Sequence, residues 1–243
     1  CIQPPTTTAA TLATGGIGVN NKGGAAIVGN PALTIFQTKP IAGIHGSNLF
    51  GLSEYSSIAA HALYNIGKLR AGNMVDYFGT NLFKQTSFYQ SLALKLHTKT
   101  SMGIFIGIRR QSYAGEYTHL NAIGGLGTTH KISEFLSINW CSNIARNFSN
   151  SHHTLNVSSE LGIIYAAEKT LNIHLLTQIA NEGFTWNIGL EFGKNFRLFY
   201  TAKSRQLSAG YSLKFSNIQT NLGLSFHQFL GTSQALSIQY EST

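Results

Sequence analysis

The chain has 243 residues, 43% hydrophobic and only 11% charged, with 25 Gly and 4 Pro; a soluble domain carries about a quarter charged residues, so a fully water-facing surface is excluded, and the apolar content excludes intrinsic disorder. A spanning helix needs roughly 20 consecutive apolar residues, and the purest run, Leu161 to Ala167, is too short. Lys and Arg outnumber Asp and Glu by 17 to 9, a formal charge of +8, but no concentrated basic face or aromatic recognition motif accompanies the one tight pair, Arg109–Arg110, so a nucleic-acid partner is not expected.

Residues 1–38 differ from the rest. Cys1-Ile-Gln-Pro-Pro-Thr-Thr-Thr8 reads as a coil-like leader, followed by Thr14-Gly-Gly-Ile-Gly-Val19 and then Gly23-Gly-Ala-Ala-Ile-Val-Gly-Asn-Pro-Ala32. Doubled glycines permit close backbone approach, and Asn30-Pro31 marks a turn. A phosphate cradle is not supported, because no strand-then-helix context surrounds the glycines and no Lys-Ser or Lys-Thr pair follows them. Cys1 before a flexible Pro/Thr stretch suits a lipidated tether; a chain that begins after processing is the alternative. Residues 1–38 therefore read as a leader and plug-like segment, and 39–243 as one domain undivided by any linker.

From residue 39 onward the pattern is strict alternation broken by short turns, the signature of a closed membrane barrel. Phe88, Gln90, Leu92, Leu94 and Leu96 oppose Tyr89, Ser91, Ala93, Lys95 and His97. Leu155, Val157, Ser159, Leu161, Ile163 and Tyr165 oppose Asn156, Ser158, Glu160 and Gly162. The same alternation runs through 171–179, 184–192 and 207–215, and further strands are predicted near 40–47, 56–66, 69–77, 101–111, 117–127, 132–142, 196–203, 218–228 and 234–240. A soluble sandwich also alternates, but its polar faces meet bulk water and carry more charge. Here they are mostly Gly, Ser, Asn and Thr, as suits a confined lumen. The spacing predicts a closed antiparallel transmembrane β-barrel of about fourteen strands joined by tight hairpins. Tyr55, Tyr77, Phe78, Phe83, Phe148, Phe184, Phe192 and Phe196 fall near strand ends and read as interfacial girdles.

The run Gly15-Gly16-Ile17-Gly18-Val19, with Asn30-Pro31-Ala32 leading into an apolar strand, resembles the amino-terminal segment of FadL-like outer-membrane barrels. It is closest to the PorV and PorQ proteins of type IX secretion in Bacteroidota. The resemblance covers residues 13 to 36 and implies that Gly15, Gly16, Asn30, Pro31 and Ala32 form a luminal plug or its anchoring turn; the alternative is that they only start the first strand. The chain is shorter than PorV and leaves little room for long loops, which bears against a cargo-shuttle role.

Candidate chemistry is sparse. Cys141 lies inside a predicted strand and reads as a small buried or lipid-facing residue. A disulfide with Cys1 is not decided by the sequence. His152–His153 fall in a polar loop spanning 143–153, with no further ligand at metal-binding spacing. No Gly-x-Ser-x-Gly elbow is present. Lys95, His97, Arg197, Lys203 and Lys214 lie on the polar faces, opposed by Glu160 and Glu191. They describe either a basic lumen that favours anions or residues paired with the acids or the plug.

The expectation is thus a non-enzymatic outer-membrane barrel without cofactor or metal, embedded in the lipid bilayer. It would serve as a subunit of a multiprotein envelope assembly with other outer-membrane proteins or lipoproteins: type IX secretion, or an accessory of outer-membrane protein or lipoprotein biogenesis. The alternative is a FadL-like transporter or small channel for hydrophobic or anionic solutes.

Overall fold

The computed structural model describes residues 8–242 except Gly15, Asn81, 114–116, 149–154, Glu182 and Lys194. Cys1, Gly15 and the His152–His153 pair lie outside the described residues.

Alternating side chains make each segment from Ile41 onward extended, and each strand pairs antiparallel with its sequence neighbour. The strands are β1 (Ile41–Asn48), β2 (Ser56–Ile66), β3 (Leu69–Gly79), β4 (Phe83–His97), β5 (Thr100–Tyr113), β6 (Tyr117–Lys131) and β7 (Leu136–Asn147). They continue as β8 (Leu155–Glu168), β9 (Leu171–Ala180), β10 (Gly183–Phe192), β11 (Phe196–Thr201), β12 (Gln206–Phe215), β13 (Ile218–His227) and β14 (Gly231–Glu241). β1 pairs with β14 from Ile41↔Glu241 to Asn48↔Gln234 and closes the barrel at fourteen strands. Closure leaves no sheet edge in lipid, where an unpaired backbone group would cost several kcal/mol. Outward residues are large and apolar, as in Ile104, Ile106 and Ile108 on β5 or Trp186, Ile188 and Phe192 on β10, all exposed. Their inward neighbours are small or polar except where the wall meets the plug, as at Phe105, and this face pairing makes the barrel a transmembrane one.

One boundary differs from the sequence reading. Residues 132–135 form the β6–β7 turn, and β7 continues through Asn147, so the strand predicted at 132–142 is displaced and 143–147 is not loop. The apolar pattern Ile132, Phe135, Leu136 hides a turn held by Ser133, whose hydroxyl accepts from the backbone N–H groups of Phe135 and Leu136 at 3.2 and 3.1 Å. Asn143 belongs to the strand because it faces inward, where it accepts from the Cys141 thiol at 3.3 Å.

The two barrel ends differ. At the end bearing the first and last strand termini, hairpin turns run from two to four residues, whereas the connections at the opposite end reach seven residues, as in 49–55.

The core lies inside the barrel. Residues 8–37 fold into α1 (Ala9–Ala13), α2 (Ala26–Gly29) and short 3-10 turns, and nearly all of 8–34 is buried. Thr8 caps α1 by accepting from Thr11 N–H at 3.1 Å. Three apolar clusters fix this plug to the wall, the smallest of them Ala9 and Leu12 against Ala235. Ile27 and Val28 pack with Leu63, Met74, Tyr89 and Phe105, while Ile17 and Val19 pack with Cys141, Leu176 and Phe199.

The plug fits because the wall lacks side chains where it touches. A Cβ at Gly103 would stand 2.7 Å from Ala32 N, one at Gly127 2.2 Å from Asn30 Oδ1, and one at Gly162 2.2 Å from Asn20 Oδ1. Gly127→Val and Gly103→Val are each expected to destabilise the plugged barrel by about 1–3 kcal/mol through overpacking. The outward-facing Gly46→Val, whose nearest neighbour would be 4.0 Å away, should be neutral. Heat-modifiable gel migration and proteolysis of residues 8–37 read both; equal effects at Gly46 and Gly127 would refute the seating.

Candidate functional site

The site is the lumen: a plug in its middle and terminus-bearing half, with a mouth at the opposite end. The plug is held by polar groups that the alternating strands present inward. Glu160 on β8 accepts from the backbone N–H groups of Gly18 and Val19 at 3.1 and 3.0 Å through Oε2, and from Gln178 at 3.1 Å through Oε1. This buried carboxylate is satisfied by three donors and so tolerates its location. Asn187 on β10 donates to Thr14 O at 2.8 Å. Asn139 on β7 donates to Asn20 Oδ1 at 2.6 Å and receives a short hydrogen bond from Thr129.

Asn30, Pro31 and Ala32 sit within the barrel, fully or almost fully buried. Asn30 Nδ2 donates to Val19 O and to Thr128 O, both at 3.2 Å, while its Oδ1 accepts from Ala32 N–H at 3.2 Å. One side chain thus ties two plug segments to β6 and caps the turn opened by Pro31. Ser101 on β5 donates to Ala32 O at 2.9 Å. Gly16 has a different reason to be glycine. Its φ is +92° and a Cβ there would meet nothing within 4 Å, so backbone conformation rather than crowding selects it.

The plug chain leaves at the terminus-bearing rim. Asn65 donates to Thr38 O at 2.9 Å, Arg70 donates to Lys39 O, and Ser242 N donates to Pro40 O at 2.9 Å.

The five basic residues singled out in the sequence are not brought together. Lys95 and Lys214 have inward strand parity but stand exposed at the terminus-bearing rim, Lys214 paired with Glu241, while a bulge between Lys95 and His97 turns the exposed His97 to the outer face. Lys203 lies in the β11–β12 turn at the other end, since β11 stops at Thr201. Arg197 does face the lumen, where its Nε is 2.9 Å from Glu191; His174 Nε2 is 3.7 Å from the same carboxylate, and Asn172 donates to it at 3.3 Å. Arg109 and Arg110 are split by the pleat, Arg109 buried inside and Arg110 exposed outside.

Sequence reading missed the mouth. Of the aromatics taken as girdle, Tyr77, Phe184, Phe192 and Phe196 do face outward, but Phe78 and Phe83 face inward, beside Tyr55. With Phe50 and Tyr113 they form an arc: Phe50–Tyr55 6.3 Å, Tyr55–Phe78 6.1 Å, Phe78–Phe83 6.0 Å and Phe83–Tyr113 4.9 Å between ring centroids. His227 continues it at one end, 6.3 Å from Phe50, and His119 at the other, 5.6 Å from Tyr113. The signal available was parity: Tyr77 and Phe78 are adjacent and must point to opposite faces.

Below the arc lies a polar layer. Gln111 donates to Gln85 at 3.0 Å and Asn121 donates to Gln111 at 3.2 Å. One step deeper, Asp76, Ser87 and Arg109 occupy paired positions on β3, β4 and β5, with Arg109 donating to the Tyr89 hydroxyl at 3.0 Å. From mouth to plug the lumen therefore passes from aromatic faces through neutral amides to a small charged row.

No known family profile matches the chain, and no curated protein matches it in sequence. Solved structures do match. The chain superposes on the Ralstonia pickettii toluene transporter TbuX with a TM-score of 0.72 at 11% identity, covering 98% of each chain. It also superposes on a Pseudomonas aeruginosa FadL homologue (0.65, 10% identity, 98% of each) and on the Pseudomonas putida toluene transporter TodX (0.64, 11% identity, 96% of each). The fold is FadL-like. These neighbours support the FadL part of the resemblance carried by residues 13–36 and give nothing to its type IX secretion part.

In this FadL-like barrel the Glu160 carboxylate is the polar anchor with most at stake. Glu160→Ala leaves two plug N–H groups and Gln178 without their acceptor, and about 3 kcal/mol of local stability should be lost. Amide hydrogen exchange at Gly18 and Val19 reads this directly; unchanged protection would show that the apolar clusters alone hold the plug.

Proposed function

We propose that the protein is an outer-membrane transporter that admits small hydrophobic solutes, with aromatic molecules the best fit. The observation that carries this reading is the aromatic arc Phe50, Tyr55, Phe78, Phe83 and Tyr113 on the inner face of the mouth. Ring faces and edges set inside a barrel mouth offer an apolar solute offset and edge-on contacts worth about 0.5–1.5 kcal/mol each beyond simple burial. The toluene transporters among the structural neighbours support the same class of cargo.

An anionic cargo fits less well. Of the five basic residues singled out in the sequence, four stand at the rims and Arg197 is engaged by Glu191, while Arg109, also inside, donates to the Tyr89 hydroxyl. The shorter turns support a terminus-bearing end that faces the periplasm and a mouth that faces outside. In the state described here the plug fills the lumen below the mouth, so cargo passes only if the plug shifts or the wall opens to lipid.

The test is uptake of labelled toluene by cells that lack their own hydrocarbon channels and express this barrel. Faster uptake than in empty-vector cells is expected, and Phe78→Ala with Phe83→Ala should lower the rate several-fold, about one order of magnitude if two ring contacts are lost. Ion conductance in planar bilayers should stay low throughout. No uptake above background by a correctly folded barrel would refute the reading.

A further inference from the structure

Exposed cations stand at both ends of the barrel, but the lysines gather at one. Seven lysines, Lys39, Lys68, Lys95, Lys99, Lys131, Lys169 and Lys214, are exposed at the terminus-bearing rim, where Glu134, Glu168 and Glu241 are the described acids around them. Their placement follows the turns. Lys68, Lys99 and Lys169 each occupy a two-residue hairpin, β2–β3, β4–β5 and β8–β9, while Lys131 ends β6 and Lys214 nearly ends β12. Among the described residues, five of the six hairpins at this end thus carry a lysine, and the charges run round the circumference rather than forming one patch.

Those in the turns stand at the border of the apolar belt, while Lys95, Lys131 and Lys214 start from inward positions, Lys131 over the Phe36 ring at 5.3 Å and Lys214 paired with Glu241. Ile66 is two residues from Lys68, Ile132 adjoins Lys131, and Phe215 adjoins Lys214; all three apolar side chains are exposed on the outside. A long methylene stem can lie along such an apolar surface while its ammonium reaches the headgroup plane.

From this juxtaposition we propose that the terminus-bearing rim is a lipid-recognition ring that selects anionic phospholipid headgroups in the leaflet surrounding it. A ring fits a headgroup annulus, which meets the barrel from all sides at one height. A protein partner would need its complementary charges gathered over an arc of a few strands. Lysine, a compact cation on a flexible stem, suits mobile phosphates better than a fixed bidentate site does, and each added cation near an anionic surface strengthens attraction to it.

The barrel is purified in micelles containing equal phosphatidylglycerol and phosphatidylcholine, and the retained lipids are counted by native mass spectrometry. Phosphatidylglycerol should be enriched about threefold or more, and the enrichment should fall on raising salt. The triple variant Lys68→Gln, Lys99→Gln, Lys169→Gln removes three turn charges that make no contact with the plug, and should bring the ratio near one while heat-modifiable migration stays normal. Equal retention of the two lipids by the unaltered barrel would overturn the proposal. So would unchanged enrichment in the folded triple variant, or displacement of the lipid by a soluble polyglutamate at matched charge, which would mark a protein-docking surface instead.

Discussion

The constraint behind the whole structure is that lipid offers backbone N–H and C=O groups no partner. Every strand must be paired on both sides, so the sheet has to close, and here it closes through eight residue pairs between β1 and β14. Closure then dictates the sequence. Outward positions meet lipid and become Ile, Leu, Phe and Trp, while inward positions are small or polar except for the few large side chains, such as Met74, Phe105 and Phe199, that pack against the plug. Low charge follows, since only the lumen, the rims and the turns meet water.

A closed barrel of fourteen strands encloses more space than its own small inward side chains fill. The described plug residues from Thr8 to Thr34 solve this by entering the lumen, but they bring unpaired backbone groups with them. Glu160, Asn187, Asn139 and Ser101 reach in from four strands to pair with plug groups, and Asn30 reaches out from the plug to β6. Side chains supply these bonds, so the plug stays separate from the sheet. Such a seal is easier to release than a paired strand, because no ladder of backbone hydrogen bonds has to break.

Legibility in the sequence followed the reach of each signal. Strand count and facing were readable because period-2 alternation is local and the lipid–lumen contrast is large. The β6–β7 turn was not, because Ser133 makes its turn within an apolar-looking stretch. Parity alone placed Lys95 and Lys214 on the luminal side correctly, but the bulge before His97 reverses its face, and parity says nothing of height along the barrel. Height turned the two lysines from lumen lining into rim charge. Phe78 and Phe83 were misassigned for the converse reason: nearness to a strand end was read, and the face was not. A slip of one residue decides between lipid and lumen.

The seat of the plug was the least legible part, and the reason is distance along the chain. Asn30 and Pro31 announce a turn by their own chemistry, but nothing near them reveals that Gly127 and Gly103 leave the space they occupy. From the strand side, an interior glycine signals only that something comes close. Two such signals about 70 and 100 residues apart acquire meaning together once the barrel is closed and the plug is inside it. The same coupling links function to fold. In the proposed transport, a movement of the plug that opens the lumen would withdraw Asn30 and Ala32 from the floor those glycines provide, so the path of a solute and the packing of the core would involve the same few residues.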